Sequence, residues 1–371
     1  MAHSAAAPLT AASVFSGAMG LDIGLEMAGF AVRFVADIDK SAIETARLNR
    51  PTIPYYLGDV RDLSGHHIEL ATGCPKLDLL TGGPPCQSFS TAGRRKSISD
   101  SENGPLVFEF VRLVNELRPK AFVMENVKGL LSAPLEWRAL PYNNNGKRID
   151  NQYGALLHEL MKKFHGIGYS ASTIQLNAAD FGVPQVRHRV FIIGFENGEE
   201  PDRPEPTHSM GGDLLHRPWR TIREAWHGLC DETSLCAKFS ERKLSYLKMV
   251  PPGGNWRDLP EAVQRQSMGK AYHAKGGRTG YWRRLSFDET APTILTEPQN
   301  ASTSLCHPTE HRPINVREAA RLQTFPDNWQ FVGRTAEQYR LIGNAVPPLL
   351  ASAVASVVSR QLLASKAAKA A

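Results

Sequence analysis

No CxxC pair, no tight Cys/His cluster and no internal repeat occur in this chain. Its five cysteines, Cys74, Cys86, Cys230, Cys236 and Cys306, are odd in number and widely spaced. That spacing argues against structural zinc and against a disulfide framework, and it suits a reducing compartment. No metal is expected. Long apolar runs are missing too. No stretch reads as the ~18 apolar residues of a membrane span, so no membrane partner is expected. The opening "MAHSAAAPLTAA" lacks a basic segment and a long apolar core, and reads as a frayed tail rather than a signal peptide.

What is present is an ordinary globular composition, 42% hydrophobic and 22% charged over 371 residues. That length accommodates one large domain and a second, smaller one. The net charge is +6, and residues 201–285 alone hold 15 Lys/Arg against 9 Asp/Glu. Such a region suits a polyanion such as nucleic acid, or is simply a solvated surface.

Short apolar runs alternate with helical spacing. Strands are expected at 13–15, 33–37, 55–57, 77–81, 121–125, 172–176 and 189–193. "GLDIGLEMAG", "SAIETARLN" and "PLVFEFVRLVNELRP" read as helices, the last stopped before Pro119. The alternation predicts an α/β fold with a doubly wound, mostly parallel sheet. Residues 131–152 read as a long polar loop. After about residue 195 the period is lost, and Gly-rich turns such as "PPGGNW" and "KGGRTG" take over. Regular character returns with "INVREAARLQTF" and a helix from about Pro347. The expected division is 1–195 catalytic, 196–285 loop-rich, and 286–371 completing the first part.

Four stretches carry chemistry. In "SVFSGAMGLDIG", Gly17, Gly20 and Gly24 follow a strand and let a ligand approach the helix start. Asp37 ends the second strand, where an acid can bind ribose hydroxyls. Asp59 follows the third, where it can accept from an adenine amino group. The set suits an adenosine-containing cofactor, though not with the GxGxxG spacing of a dinucleotide site. A tight turn with solvated acids is the other reading. In "TGGPPCQSFS", Cys86 follows the fourth strand in a stiff turn, as a low-pKa nucleophile or as an inert buried thiol. In "AFVMENVKGL", Glu125 leaves the fifth strand on the same rim as Cys86. It either donates, protonated, to a substrate ring lying between the two or caps a helix. In "DFGVPQVRHRVFIIG", Arg187 and Arg189 alternate and share a face, one for a ligand carbonyl and one for a phosphate, or both solvated at an edge.

These stretches, in this order, resemble the C5-cytosine DNA methyltransferase family. "FSGAMG" is similar to its cofactor motif, "GGPPCQSFS" to its nucleophile motif, and "MENV" and "QVRHR" to the two that follow. "VREAARLQTFPD" and "YRLIGNAVPP" resemble its late blocks, and only the basic insert is unmatched. The resemblance implies an S-adenosyl-L-methionine (AdoMet)-dependent methyltransferase fold with a target-recognition domain at 196–285. It implies attack of the Cys86 thiolate on cytosine C6, which makes C5 able to take the methyl group. Glu125 would contact N3 and the exocyclic amine, and Arg189 the O2. Arg187 would support the site or a phosphate. Phe15, Gly17, Gly20, Asp37, Ile38, Asp59, Leu106 and Asn344 would hold AdoMet. Gln87, Ser90, Arg94 and Arg95 would touch DNA from the loop after Cys86.

Three positions depart from the family pattern. Met19 replaces a glycine, Asp37 a glutamate and Ile38 a tryptophan. The implied protein is a monomeric, cytoplasmic bacterial enzyme of restriction–modification type acting on double-stranded DNA, with a separate restriction endonuclease where one exists. A tRNA cytosine-5 methyltransferase, an inactive DNA-binding relative and a nicotinamide dehydrogenase are the alternatives. "STAGRR", intact Cys86, Glu125 and Arg189, and the glycine spacing respectively speak against them.

Overall fold

The computed structural model describes residues 7–85, 106–133, 154–229, 235–273 and 280–370. They form two compact units, residues 1–177, 188–205 and 351–371 in the first, 178–187 and 206–350 in the second.

The first unit begins β1 (Leu9–Val14), α1 (Gly20–Met27), β2 (Phe30–Asp37), α2 (Lys40–Asn49), β3 (Tyr55–Leu57), α3 (Gly65–Thr72) and β4 (Leu79–Gly82). It continues with α4 (Leu106–Leu117), β5 (Ala121–Val127), α5 (Ala155–Gly166), β6 (Ser170–Asn177) and β7 (His188–Phe195). The sheet order is β3-β2-β1-β4-β5-β7-β6. Strands β1 to β5 pair in parallel, while β7 runs antiparallel to both β5 and β6. The strand order reverses at β1 and β4, and open α/β sheets bind ligands beyond the carboxyl ends of such strands.

Leu79, Leu80, Phe122 and Met124 are fully buried in the central strands, as apolar runs covered on both faces should be. Phe122 stacks on Phe164 of α5 with centroids 4.1 Å apart. Helix α4 ends at Leu117, and Arg118, with a φ of 46°, leaves the helical region just before Pro119. Strand β5 extends past Glu125, because Glu125, Asn126 and Val127 pair with Phe191, Val190 and Arg189 of β7. Glu125 therefore sits within a ladder, and its helix-capping reading falls.

The second unit contains α6 (Ile222–Trp226), α7 (Glu241–Leu247), α8 (Glu261–Met268), α9 (Val316–Leu322) and α10 (Thr335–Asn344). Phe239, Tyr246, Leu247, Trp256, Trp282 and Cys306 gather in a small core. Residues 286–350 cluster here rather than with the first unit, so the boundary drawn at 285 does not coincide with the observed division. The tie is local: Leu285 N–H donates to Cys306 O at 2.9 Å, and Arg284 donates to His307 O and Glu310 O, both at 2.8 Å.

Helix α11 (Pro348–Ala370) belongs to the first unit from Ala351 onward. A Cβ on Gly24 would come within 2.3 Å of Ala351 Cβ, so Gly24 serves helix packing between α1 and α11. Among the described residues one stretch, Thr335–Ala368, is long and apolar enough by composition to cross a membrane. Its most apolar window is 72% buried within the protein, which fits a core helix.

Candidate active site

Strand β1 ends in a tight turn. Phe15, Gly17 and Met19 all adopt positive φ, at 56°, 52° and 64°. Ser16 N–H donates to Ala36 O at 3.1 Å, and Gly17 N–H to Asp37 Oδ2 at 2.8 Å. The other Asp37 oxygen accepts from Asp39 N–H, also at 2.8 Å. Asp37 thus locks the glycine turn to the end of β2.

Beside this turn lies a cavity of about 330 Å³ lined by Phe15, Asp37, Ile38, Asp59, Pro85 and Leu106, among others. Asp59 caps a short helical turn and accepts from Arg61 N–H at 2.9 Å. The Arg61 guanidinium holds the Asp59 carboxyl below its ordinary range, so it is an anion at neutral pH. Phe15, Ile38, Pro85 and Leu106 supply apolar walls, and the two carboxylates supply acceptors. This donor set fits the adenosine half of AdoMet, and its acids are placed for ribose and adenine N–H or O–H groups.

Met19 carries a conflict between backbone and packing. A left-handed conformation costs a non-glycine residue about 1–2 kcal/mol, yet the Met19 side chain is fully buried. Truncating a buried methionine to alanine costs about 2–5 kcal/mol. Packing outweighs strain, so Met19→Gly is expected to destabilise the protein by about 1–3 kcal/mol. A urea titration would read this as a lower midpoint.

A second group assembles where β4 meets β5. Glu125 is 8% exposed, and Arg189 Nε lies 2.7 Å from its Oε1. In the ladder Glu125 faces Phe191, so Arg189 is its diagonal neighbour on the same face, within reach of a long side chain. The Gly83-Pro84-Pro85 turn leaves β4 against this pair. Asn126 Nδ2 donates to Pro84 O at 3.2 Å. A Cβ on Gly83 would sit 3.1 Å from Glu125 Oε2, so a larger residue would press on the carboxylate. Pro85 also lines the 330 Å³ cavity. One short turn therefore touches both the Glu125–Arg189 pair and the cavity, and the next residue in the chain is Cys86. Cys86, Gln87, Ser90, Arg94 and Arg95 themselves lie outside the described residues.

The two arginines of "QVRHR" part company. Arg189 is on β7, whereas Arg187 precedes it and is fully buried in the second unit. Arg187 donates to Ile294 O at 3.0 Å, Gly343 O at 2.8 Å and Ala345 O at 3.0 Å. A guanidinium enclosed by backbone carbonyls cannot grip a phosphate, so that role is corrected to an internal one. Gln185 is equally buried, donating to Gln323 Oε1 at 2.8 Å and accepting from Ile294 N–H at 2.8 Å. Asn344 ends α10 with its side chain exposed. Gly20 is the first residue of α1 and is buried. Two residues escaped the sequence reading. Gly83 was masked by its glycine- and proline-rich surroundings. Asp22, an acid inside the apolar run "GLDIGL", was a visible anomaly, and it proves fully buried.

A seven-stranded sheet with one antiparallel strand, and an adenosine-type cavity beside its switch point, define an AdoMet-dependent methyltransferase. More particularly, the chain belongs to the C-5 cytosine-specific DNA methylase family, which matches residues 9–360. It is 36% identical to the type II methyltransferase M.Sau96I of Staphylococcus aureus, over 91% of this chain and 72% of that one. It is 37% identical to M.PspPI of Psychrobacter, over 94% and 78%. Among solved structures, a prophage-encoded protein of Escherichia coli assigned as a DNA modification methyltransferase superposes with a TM-score of 0.65. That pair is 25% identical, with 96% of this chain and 99% of that one covered. Spodoptera frugiperda DNMT2 shares the fold at 14% identity, with a TM-score of 0.63 over 94% and 99% of the two chains.

Proposed function

We propose that this chain methylates C5 of a cytosine within one short double-stranded DNA sequence, through a transient Cys86–C6 bond. The carrying observation is the Gly83-Pro84-Pro85 turn, which borders both the Glu125–Arg189 pair and the adenosine cavity.

Cytosine C5 is a weak nucleophile. Addition of the Cys86 thiolate to C6 pushes electron density onto C5, which then accepts a methyl group. Loss of the C5 proton and expulsion of the thiolate restore the ring. Glu125 holds N3 and the exocyclic amine, and Arg189 donates to O2, so charge building on the ring as sulfur adds is stabilised in place. AdoMet, when bound, supplies the methyl group. Asp37 and Asp59 orient its ribose and adenine, and Phe15 covers the ring. The base must leave the duplex stack, at a cost of a few kcal/mol that pocket and backbone contacts offset. Arg187 acts as a brace for the second unit, and Gln87, Ser90, Arg94 and Arg95 contact the DNA backbone. We place the protein, as a monomer in the bacterial cytoplasm, beside a separate restriction endonuclease whose sites it protects.

Base-resolution mapping of 5-methylcytosine on plasmid DNA treated with protein and AdoMet tests this. Marks confined to one short motif are expected. Marks on tRNA alone would overturn the DNA reading. Glu125→Gln keeps shape and removes the acid, and is expected to slow single-turnover methylation by about 10²–10⁴-fold, with AdoMet affinity unchanged.

A further inference from the structure

A cavity of about 610 Å³ lies wholly within the second unit and takes no part in the chemistry above. Three charged residues line it, Arg283, Arg284 and Glu289. Arg284 is committed elsewhere, donating to the carbonyls of Leu247, Val250, His307 and Glu310. Thr290 and Thr293 likewise donate their hydroxyls to Arg220 O at 3.0 Å and Val186 O at 2.8 Å. Glu289 is exposed, and among the described residues only its backbone is hydrogen-bonded. Glycines line the walls where Arg283 and Glu289 end. Gly253 has a φ of 78°, and a Cβ there would lie 3.6 Å from Glu289 Oε1. A Cβ on Gly280 would collide with Ser302 O and lie 3.6 Å from Arg283 Nη2. The cavity therefore offers a ligand one guanidinium fork and one carboxylate, each beside an open glycine wall.

That combination selects among the groups that DNA presents. A phosphate would be repelled by Glu289. A G·C pair shows the major groove two adjacent acceptors, guanine N7 and O6, with the cytosine N4 donor beside them. An A·T pair sets its adenine donor between its two acceptors, so a planar fork cannot take both. Chain connectivity keeps the cavity close to the target base. Val186, on its wall, stands three residues before Arg189, a reach of at most about 11 Å. Base pairs rise about 3.4 Å each.

Resting on the reading of this chain as a methyltransferase of double-stranded DNA, we propose that this cavity reads one G·C pair near the target cytosine, with Arg283 donating to guanine N7 and O6 and Glu289 accepting from the cytosine amino group. Arg283 and Glu289 are then specificity-determining residues. They set which sequence is methylated, and the transfer itself stays with the first unit.

The parent protein's methylation map supplies the motif, which should hold a fixed G·C pair besides the target pair. Affinity for labelled duplexes is then measured by fluorescence anisotropy. S-adenosyl-L-homocysteine, the product left when AdoMet gives up its methyl group, replaces AdoMet so that no turnover occurs. Exchanging that G·C pair for A·T should weaken binding to the parent about 5- to 150-fold, the range of one bidentate base contact. In Arg283→Gln the penalty should vanish at that pair and persist at the others. Exchanging its guanine for 7-deazaguanine removes N7 alone, and should weaken the parent but not the variant. Glu289 is exposed, so Glu289→Ala tests the same pair with little effect on folding, and should lower the penalty there. A parent indifferent to 7-deazaguanine at every G·C pair of the motif overturns the proposal without any variant, even should Arg283→Gln misfold. Retention of the full penalty by Glu289→Ala and Arg283→Gln overturns it too. A parent that marks no DNA would instead overturn the reading on which the proposal rests.

Discussion

Cys86→Ala is expected to reduce methyl transfer by roughly 10⁴- to 10⁶-fold, the scale on which removal of a covalent nucleophile is felt. The reason lies in the order of events proposed for the ring. Without addition at C6, C5 never gains enough electron density to take a methyl group, and no other residue of the site can substitute for sulfur. AdoMet binding should be unaffected, because the cavity is lined by Phe15, Asp37, Asp59 and Pro85, and the substitution leaves Pro85 in place. Duplexes carrying 5-fluorocytosine at the target give the sharper measurement. Fluorine at C5 cannot leave as a proton does, so the parent protein should accumulate a covalent adduct resistant to denaturant, and Cys86→Ala none. An adduct formed by the variant would assign the nucleophile elsewhere.

Arg187→Ala is expected to act on a different quantity. Arg187 is fully buried and satisfies the carbonyls of Ile294, Gly343 and Ala345. Its removal takes a donor from Ile294 O, Gly343 O and Ala345 O, the last keeping only Gln323 Nε2 at 3.3 Å, and leaves a cavity besides, for about 3–5 kcal/mol of lost stability. For a unit of this size that corresponds to a fall in melting temperature of roughly 10 °C. Arg187→Lys keeps the charge, but a single ammonium lacks the planar fork that reaches three carbonyls. An intermediate loss is expected. Thermal unfolding followed by calorimetry would measure both. A normal melting temperature with lost DNA affinity would mean that Arg187 touches DNA after all.

The two arginines of one motif show how far the sequence could be read. Their alternation placed Arg187 and Arg189 on one face, with a carbonyl ligand for one and a phosphate for the other. In the structure Arg189 meets Glu125 on the sheet, while Arg187 precedes the strand and is enclosed. Arg284 tells the same story in the basic insert. It counts toward the excess charge that suggests a polyanion, yet it is 3% exposed and donates to the carbonyls of Leu247, Val250, His307 and Glu310. Loop-rich chain has few ladders to satisfy its carbonyls, so buried guanidiniums do that work. Composition counts a charge but cannot say whether it faces solvent or backbone.

The alternation of apolar runs and helical spacing was enough to imply the parallel sheet, because period and strand order are local and sequential properties. The ordered motifs were enough to name the family, because residue type and spacing are themselves the signal. Three things were decided only by tertiary structure. The antiparallel insertion of β7 between β5 and β6 is a long-range pairing, and it is this pairing that carries Arg189 to Glu125. The grouping of residues 286–350 with the insert depends on hydrogen bonds from Leu285 and Arg284 across the chain. The raised affinity of Asp22 for its proton depends above all on burial, which only the packing of α1 in the folded unit creates. Each turns on distance and dielectric in three dimensions, which the order of residues does not state.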